Sequence, residues 1–247
     1  MPLKSETSTS SRPVQAPEGV LPQARQFVSF KFFKIRPEWR RLDENIRQRG
    51  REEALQILQS FSKKIILLSY STLGTRADCD LMLWMVSFRL EDFEELVGEF
   101  LKTGLGQYLD LSTSYLSMTK RSIYIDKLDP SHSESRTRIV PGKHKYIFVY
   151  PFWKTRDWYL LPLEKRQEYM DEHIAIGSKY LSVKLNTTYS FGLDDPEFVV
   201  AFETDSPSDF LDLVMELRQS QASKFTLKDT PIFTCVQKTF SDLLAQF

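Results

Sequence analysis

The sequence predicts an α+β protein: two ferredoxin-like halves, each with the order β-α-β-β-α-β, close into one dimeric α+β barrel within a single chain. Two observations lead to this fold class. Strand-like and helix-like hydrophobic periods alternate in the same order twice along the 247 residues. The helical segment at Asp92 also resembles the one at Asp209, which gives an internal repeat of 117 residues (209 − 92). We expect the helices outside and a hydrophobic pocket between the facing sheets.

The first half begins after a tail. Residues 1–24 are rich in Ser, Thr, Pro and Gln, so we predict that this segment is disordered. The N-terminal half then covers residues 25–119. Aromatic and β-branched runs predict its strands, an amphipathic period predicts its helices, and Gly104 with Gly106 ends the second helix. In chain order these elements are Phe27–Ile35, helix Trp39–Phe61, Lys64–Ser71, Leu81–Phe88, helix Glu91–Thr103 and Leu111–Met118.

The second half repeats the order. A basic linker covers residues 120–145, and the C-terminal half covers residues 146–247. Pro162 starts a helix as the first-turn residue it favours, and Gly192 marks the turn between two strands. The predicted elements are Tyr146–Trp153, helix Pro162–Tyr180, Val183–Phe191, Phe198–Glu203, helix Asp209–Ala222 and Pro231–Gln237.

Composition excludes some classes of protein. The 33 basic and 33 acidic residues balance, which leaves no net field to attract nucleic acid or an anionic membrane. No apolar window is long enough to span a membrane, and the N-terminus lacks an apolar signal core. Cys79 and Cys235 form no metal or redox motif, so we expect two inert thiols in a reducing cytoplasm.

His173 is the first candidate site residue. It is one of three histidines, and its predicted helix places Tyr169, Met170, Ile176 and Tyr180 on or beside its face. A neutral imidazole in such an interior can ligate a metal. Since no other ligand recurs nearby at zinc-like spacing, a macrocycle with its own four nitrogens, haem, is the candidate cofactor. A packed histidine bonded to a carbonyl remains the alternative.

Two further patterns carry possible chemistry. The strand period places Tyr150, Phe152 and Lys154 on one face, although a buried tyrosine and a snorkelling lysine at an interfacial strand would give the same pattern. The linker is basic, and Arg136 or Arg138 could clamp the carboxylates of a haem. A solvated connecting loop explains the same charges.

Several segments of the second half resemble the chlorite dismutase superfamily, and are closest to its coproheme decarboxylase branch. The resemblance covers roughly Tyr146 to Phe233 and rests on Tyr150–Lys154, Asp157–Pro162, the helix with Met170 and His173, Phe191–Asp195 and Met215–Arg218. It implies a dimeric α+β barrel, a homopentamer, and haem bound in the C-terminal half.

The resemblance also implies residue roles. His173 becomes the axial ligand of the haem iron, Tyr150 the redox-active tyrosine and Lys154 the lysine beside the reacting propionate. Trp158 and Arg218 become cofactor-binding residues, and Arg136, fourteen residues before Tyr150, contacts a propionate. The implied reaction converts iron coproporphyrin III to haem b, with hydrogen peroxide as oxidant and through a tyrosyl radical.

Three positions depart from the family pattern. Asn186 lies thirteen residues after His173, where chlorite dismutases have an arginine and the decarboxylases often have a glutamine. The alternative interpretation is that Asn186 is an ordinary polar strand residue near a turn. Ser178 replaces a common arginine, and Gln221 stands where an acidic partner of the proximal histidine is expected. These departures keep two rivals open: a non-catalytic haem-binding or haem-transfer protein, and a chlorite dismutase.

Overall fold

A computed structural model describes residues 25–124 and 138–247. Within these ranges the strands are β1 Phe27–Ile35, β2 Ile66–Ser71, β3 Leu81–Ser87, β4 Leu109–Met118, β5 Tyr146–Lys154, β6 Val183–Tyr189, β7 Phe198–Thr204, β8 Thr226–Lys228 and β9 Phe233–Lys238. The helices are α1 Glu44–Phe61, α2 Glu91–Lys102, α3 Arg156–Leu160, α4 Leu163–Gly177, α5 Pro207–Leu217 and α6 Phe240–Leu244. Short 3₁₀ helices occupy Pro37–Arg41, Gly106–Tyr108 and Gln221–Phe225.

The strands form one antiparallel sheet that closes on itself. In the described chain its order is β7-β6-β4-β1-β3-β2-β9-β5-β8, and a further β7–β5 pairing joins the ends. The first four strands contact the later ones through the β4–β6 and β2–β9 pairs. The predicted α+β class with two ferredoxin-like halves in one barrel is therefore confirmed.

The interior of the barrel is filled by side chains from both halves. Phe32 and Phe233 stack there with ring centroids 3.9 Å apart, and Phe30 stacks on Trp84 at 5.6 Å. All four side chains are at most 1% exposed. The expected pocket between the facing sheets is therefore wrong, because large aromatic side chains occupy that space.

Helices cover the outer face of the barrel in two separate layers. Over the sheet of the first half, α1 and α2 together with the C-terminal α6 bury a large cluster around Phe33, Trp39 and Phe100. In the second half, α4 and α5 cover a smaller cluster around Phe148 and Phe202. The second layer is the one that positions the candidate site, because alternate residues of β5 and β7 point into it.

Some element boundaries differ from the prediction. The helix expected from Trp39 to Phe61 is divided, since Asp43 starts α1 by accepting a hydrogen bond from the Asn45 N–H at 2.9 Å. The segment after α5 continues as a 3₁₀ helix rather than as one long helix. The predicted tail and Arg136 lie outside the described residues, and the proposed domain limits stay a prediction. Among the described helices none combines the length and apolar character needed to cross a membrane.

Candidate active site

Tyr150 projects from β5 into the second helical layer. It packs into the cluster that contains Phe148 and Phe202, and its ring stacks on Phe202 with centroids 6.0 Å apart and an interplanar angle of 18°. Burial raises the pKa of the Tyr150 phenol, and the negative charge of Asp229 adds to that rise. The phenol therefore keeps its proton at neutral pH.

Lys154 lies on the same side of β5, at its end. Its ammonium is 5.3 Å from the centre of the Phe152 ring and 4.5 Å from that of Trp158, the buried residue of α3. Nζ donates a hydrogen bond to the Ala222 carbonyl at 2.9 Å. Burial lowers the pKa of Lys154 to about 8, while Glu197 opposes the shift. This lysine can therefore donate or accept a proton close to neutral pH.

His173 reaches the same region from α4. The helix packs through Tyr169, which stacks on Phe225 at 5.9 Å, and through Ile176 about two turns later. Burial, followed by the positive charge of Lys154, lowers the pKa of His173 to about 4. The imidazole is therefore neutral at physiological pH.

The Nδ1 atom of His173 has no hydrogen-bond partner among the described residues, although it is buried. Gln221 does not supply one: its side-chain oxygen accepts from Lys224 at 2.7 Å, and its N–H donates to Glu172 at 2.8 Å. Ser178 is also turned away, since its hydroxyl donates to the Ala175 carbonyl at the helix end. Nothing polar in the described chain therefore fixes the tautomer of His173.

Trp158 and Arg218 flank this arrangement. Trp158 is 3% exposed and contacts Phe225, with ring centroids 5.5 Å apart. Arg218 is paired with Asp229, and its positive charge lowers the pKa of Tyr150 against the effect of that carboxylate. Trp158 therefore lies beside Lys154, and the charge of Arg218 acts on the Tyr150 phenol.

Not all predicted residues meet at this place. Arg138 lies with its guanidinium 5.7 Å from the ring of Phe88, in the first half of the chain. Asn186 pairs with Ala201, a residue of the barrel interior, and donates to the Glu203 carboxylate at 2.9 Å. The structure thus places Asn186 on the opposite face of the sheet from Tyr150.

Leu185 occupies the face where Asn186 was expected. It pairs with Phe202, whose ring stacks on Tyr150, and it is 50% exposed. Counting residues from His173 missed it because one residue more or less in a strand moves a side chain to the other face. The alternation of apolar Val183 and Leu185 with polar Lys184 and Asn186 is the signal that could have identified it.

These residues fit an iron porphyrin. A partly buried imidazole whose Nδ1 has no partner in the described chain suits an axial ligand, and the aromatic side chains and the ammonium of Lys154 suit a flat macrocycle and its carboxylates. Within the described residues no group of three or more His, Cys, Asp and Glu side chains could hold a bare metal ion. A single histidine suffices only for a metal that brings its other ligands with it.

Similarity to known proteins identifies the family of this chain. The family model described as chlorite dismutase matches residues 22–238. The chain belongs to the chlorite dismutase family.

Relatives within this family carry two different activities in their names. The coproheme decarboxylase of Mycolicibacterium smegmatis is 29% identical over 223 residues, which cover 90% of this chain and 94% of that protein. The chlorite dismutase of Ideonella dechloratans is 28% identical over 206 residues, or 82% of this chain and 72% of that protein. A mutant chlorite dismutase from Candidatus Nitrospira defluvii superposes with a TM-score of 0.82 at 26% identity, and covers 90% of this chain and 94% of the other. These similarities show the chlorite dismutase family and fold, and they do not distinguish between the two reactions.

Proposed function

We propose that this protein is a haem-biosynthetic oxidoreductase that converts iron coproporphyrin III to haem b with hydrogen peroxide through a tyrosyl radical. The observation that carries the proposal is the arrangement of Tyr150, Lys154 and His173 around one helix–sheet layer. The similarity to the coproheme decarboxylase of Mycolicibacterium smegmatis over most of both chains supports the same reading.

His173 would bind the iron through its imidazole, and Trp158 and Arg218 would contact the macrocycle and its carboxylates. Arg136 stays a proposed propionate contact on resemblance alone. When bound, the iron porphyrin would supply the oxidising chemistry with peroxide. Burial keeps the His173 imidazole neutral and therefore available as a ligand.

Tyr150 and Lys154 would act on the propionate. Each propionate becomes a vinyl group by losing carbon dioxide, one proton and two electrons. One hydrogen peroxide accepts the two electrons, together with that proton and a second proton from solvent, and becomes two waters. The Tyr150 phenol, protonated because its pKa is raised, would be oxidised to a radical and take hydrogen from the carbon next to the ring. Lys154, with a pKa near 8, would orient the carboxylate and take up or release the proton.

Leu185 separates this proposal from chlorite chemistry. An arginine at the corresponding place would offer a charged donor to an oxyanion, whereas Leu185 is apolar and half exposed on the Tyr150 face. The chlorite dismutase alternative therefore has less support from the described residues than the decarboxylase.

The test loads purified apoprotein with iron coproporphyrin III, titrates hydrogen peroxide and follows porphyrin mass by chromatography. Wild type should lose two carboxyl groups stepwise, and Tyr150→Phe should lose none. The matched control is Tyr146→Phe, a second tyrosine in the same apolar cluster and on the same strand, which should behave like wild type. Loss of carboxyl groups in Tyr150→Phe at the wild-type rate would refute the role of the radical.

One observation favours a second candidate, a non-catalytic haem-binding or haem-transfer protein. Because Nδ1 of His173 has no acceptor in the described chain, the ligand gains little electron density to assist peroxide cleavage. If wild type binds the porphyrin in a His173-dependent way but leaves its mass unchanged under peroxide, this second function replaces the first.

We also propose a cytoplasmic location and a homo-oligomeric assembly for this protein. Cys79 and Cys235 are both buried and free, which is usual for a protein of the reducing cytoplasm. The resemblance supports a homo-oligomer, expected to be a pentamer. Native mass spectrometry would test that number directly.

A further inference from the structure

The carboxylate beside Lys154 binds the backbone of that lysine and not its ammonium. Glu197, immediately before β7, accepts a hydrogen bond from the Lys154 backbone N–H at 2.8 Å. The Lys154 Nζ atom donates instead to the Ala222 carbonyl at 2.9 Å, and this is its one hydrogen bond or ion pair in the described chain. A negative group therefore binds the same residue as the ammonium belongs to without neutralising it.

Tyr159 of α3 holds the carboxylate in this position. Its hydroxyl donates to the same oxygen of Glu197, Oε2, at 2.6 Å. Burial, followed by the bond to Glu197, raises the pKa of Tyr159, so the phenol keeps its proton and remains a donor at neutral pH. The Tyr159 ring packs edge-on against Phe191 at 6.0 Å. Two donors therefore fix one carboxylate oxygen between the end of β5 and α3.

The backbone of Glu197 is fixed as well, because its carbonyl accepts a hydrogen bond from the Ser190 N–H at 2.8 Å. Only the side-chain torsions of Glu197 are left to change. Without the Tyr159 hydroxyl, the carboxylate would be able to rotate towards the Nζ atom of Lys154, whose long side chain is itself flexible. Such an ion pair would gain more energy in this partly buried place than it would in water.

A second tyrosine and glutamate show what happens when the carboxylate is held less completely. The Tyr180 hydroxyl donates to Glu216 at 3.0 Å, and the Nζ atom of Lys179 pairs with the other oxygen of that carboxylate. Among the described residues no backbone N–H binds Glu216. A lysine next to a carboxylate that is held by one donor is therefore neutralised by it.

We propose that Tyr159 and Glu197 are positioning residues for Lys154: the tyrosine keeps the carboxylate on the lysine backbone, so that the ammonium stays free to bind a carboxylate of the substrate. The inference rests on the proposed function, since the substrate of that function is a porphyrin that carries carboxylates. Neither residue has to touch the substrate, because both act through the pairing of the Lys154 ammonium.

The first test measures binding of metal-free coproporphyrin III by quenching of tryptophan fluorescence, without any turnover. Tyr159→Phe should weaken binding about fivefold, because the ligand then has to break an ion pair between Lys154 and Glu197. The same substitution should have less than a twofold effect in a Glu197→Gln background, where no anion is left to pair, and in a Lys154→Met background, where no ammonium is left. This double-mutant cycle separates the ion pair from any direct contact of Tyr159 with the porphyrin.

A matched control removes a hydroxyl elsewhere. Tyr108→Phe changes a tyrosine whose ring contacts Trp39 at 5.6 Å in the helical layer of the first half, and it should bind coproporphyrin III as wild type does. Urea unfolding of each variant shows whether it is folded before its affinity is compared.

The second test uses the apoprotein alone. Limited acetylation with acetic anhydride, followed by mass spectrometry of peptides, gives the labelling rate of Lys154 relative to Lys63, an exposed lysine. Tyr159→Phe should slow the labelling of Lys154 about fivefold, because an ammonium paired with a carboxylate releases its proton less readily. The slowing should be absent in the Glu197→Gln background.

The outcomes separate this inference from the function on which it rests. Wild-type affinity and labelling in Tyr159→Phe, or an equal loss of affinity in all three backgrounds, would overturn the positioning role. The expected pattern together with no decarboxylation under peroxide would retain the positioning residues and overturn the proposed reaction. If wild type did not bind coproporphyrin III, the proposed function would be wrong, and the labelling of Lys154 would still decide whether Tyr159 keeps its ammonium unpaired.

Discussion

His173 makes the stability of the apoprotein depend on pH. The pKa of its imidazole falls from an ordinary 6.5 to about 4 in the folded protein. Because the folded-state pKa is the lower one, the unfolded chain binds the proton more readily below about pH 6.5. The neutral His173 imidazole therefore contributes its full stabilisation above the pKa of the unfolded state, about 6.5. This stabilisation is lost as the pH falls towards and through the pKa of the folded state, about 4. From these two pKa values, the titration of His173 lowers the free energy of unfolding by about 2 kcal/mol between about pH 7 and about pH 5.

The perturbation that isolates this effect is His173→Gln, which replaces the titrating ring by an uncharged polar side chain. Urea unfolding of the apoprotein, followed by circular dichroism at both pH values, gives the free energy of unfolding in each case. Carboxylates and other groups titrate equally in both proteins, so they cancel in the comparison. On acidification, the free energy of unfolding of wild type should fall by about 2 kcal/mol more than that of His173→Gln.

Lys154 provides a second arm of the same experiment. Its positive charge contributes to the low pKa of His173, so Lys154→Met should raise that pKa. Lys154→Met should therefore show a smaller acid-induced loss than wild type. Equal pH dependence in wild type and His173→Gln would refute the reasoning, since it would mean that the imidazole is solvated and titrates normally.

Three further changes test other parts of the structure. Leu185→Gln adds an N–H donor to the Tyr150 face, so porphyrin-loaded protein should bind fluoride about tenfold more tightly in an absorption titration; an unchanged affinity would place Leu185 away from the iron. Asn186→Leu should leave fluoride affinity unchanged but lower the free energy of unfolding by about 1–3 kcal/mol, because it removes a donor from the buried Glu203 carboxylate. Phe148→Ala should cost about 3–5 kcal/mol in urea unfolding, because the ring is 6% exposed and stacks on Phe210 at 4.0 Å; a cost below about 1 kcal/mol would contradict the packing.

Local periodicity was sufficient to predict the fold class and the faces on which particular side chains lie. The alternation in β5 places Tyr150 and Phe152 on one face because successive side chains of a strand point to opposite sides. The helix period around His173 likewise identifies the face of α4 that packs on the sheet. These predictions need only the residues of one strand or one helix, because the period of that element decides which face each side chain takes.

The position of Leu185 could not be predicted in this way. The offset from His173 crosses the end of α4 and the turn before β6, and the number of residues in that turn decides which face each later side chain takes. Only the pairing of β6 with β7, which sets Leu185 opposite Phe202, fixes it. The wrong expectation of an interior pocket has a similar cause, because β3 is buried along its whole length and apolarity does not say which layer a side chain fills.

The asymmetry between the two halves explains why the candidate site lies in the second. In the first half, Trp39, Phe93 and Phe100 fill the layer between helices and sheet. The C-terminal helix α6 adds Leu243 and Leu244 to that layer, and the last residue, Phe247, packs into it as well. In the described chain Gln167 is the one buried residue of α4, and the cluster beneath α4 and α5 is small. The second layer therefore has fewer buried side chains than the first, and the elements that bound it, β5 and α4, are the ones that carry Tyr150, Lys154 and His173.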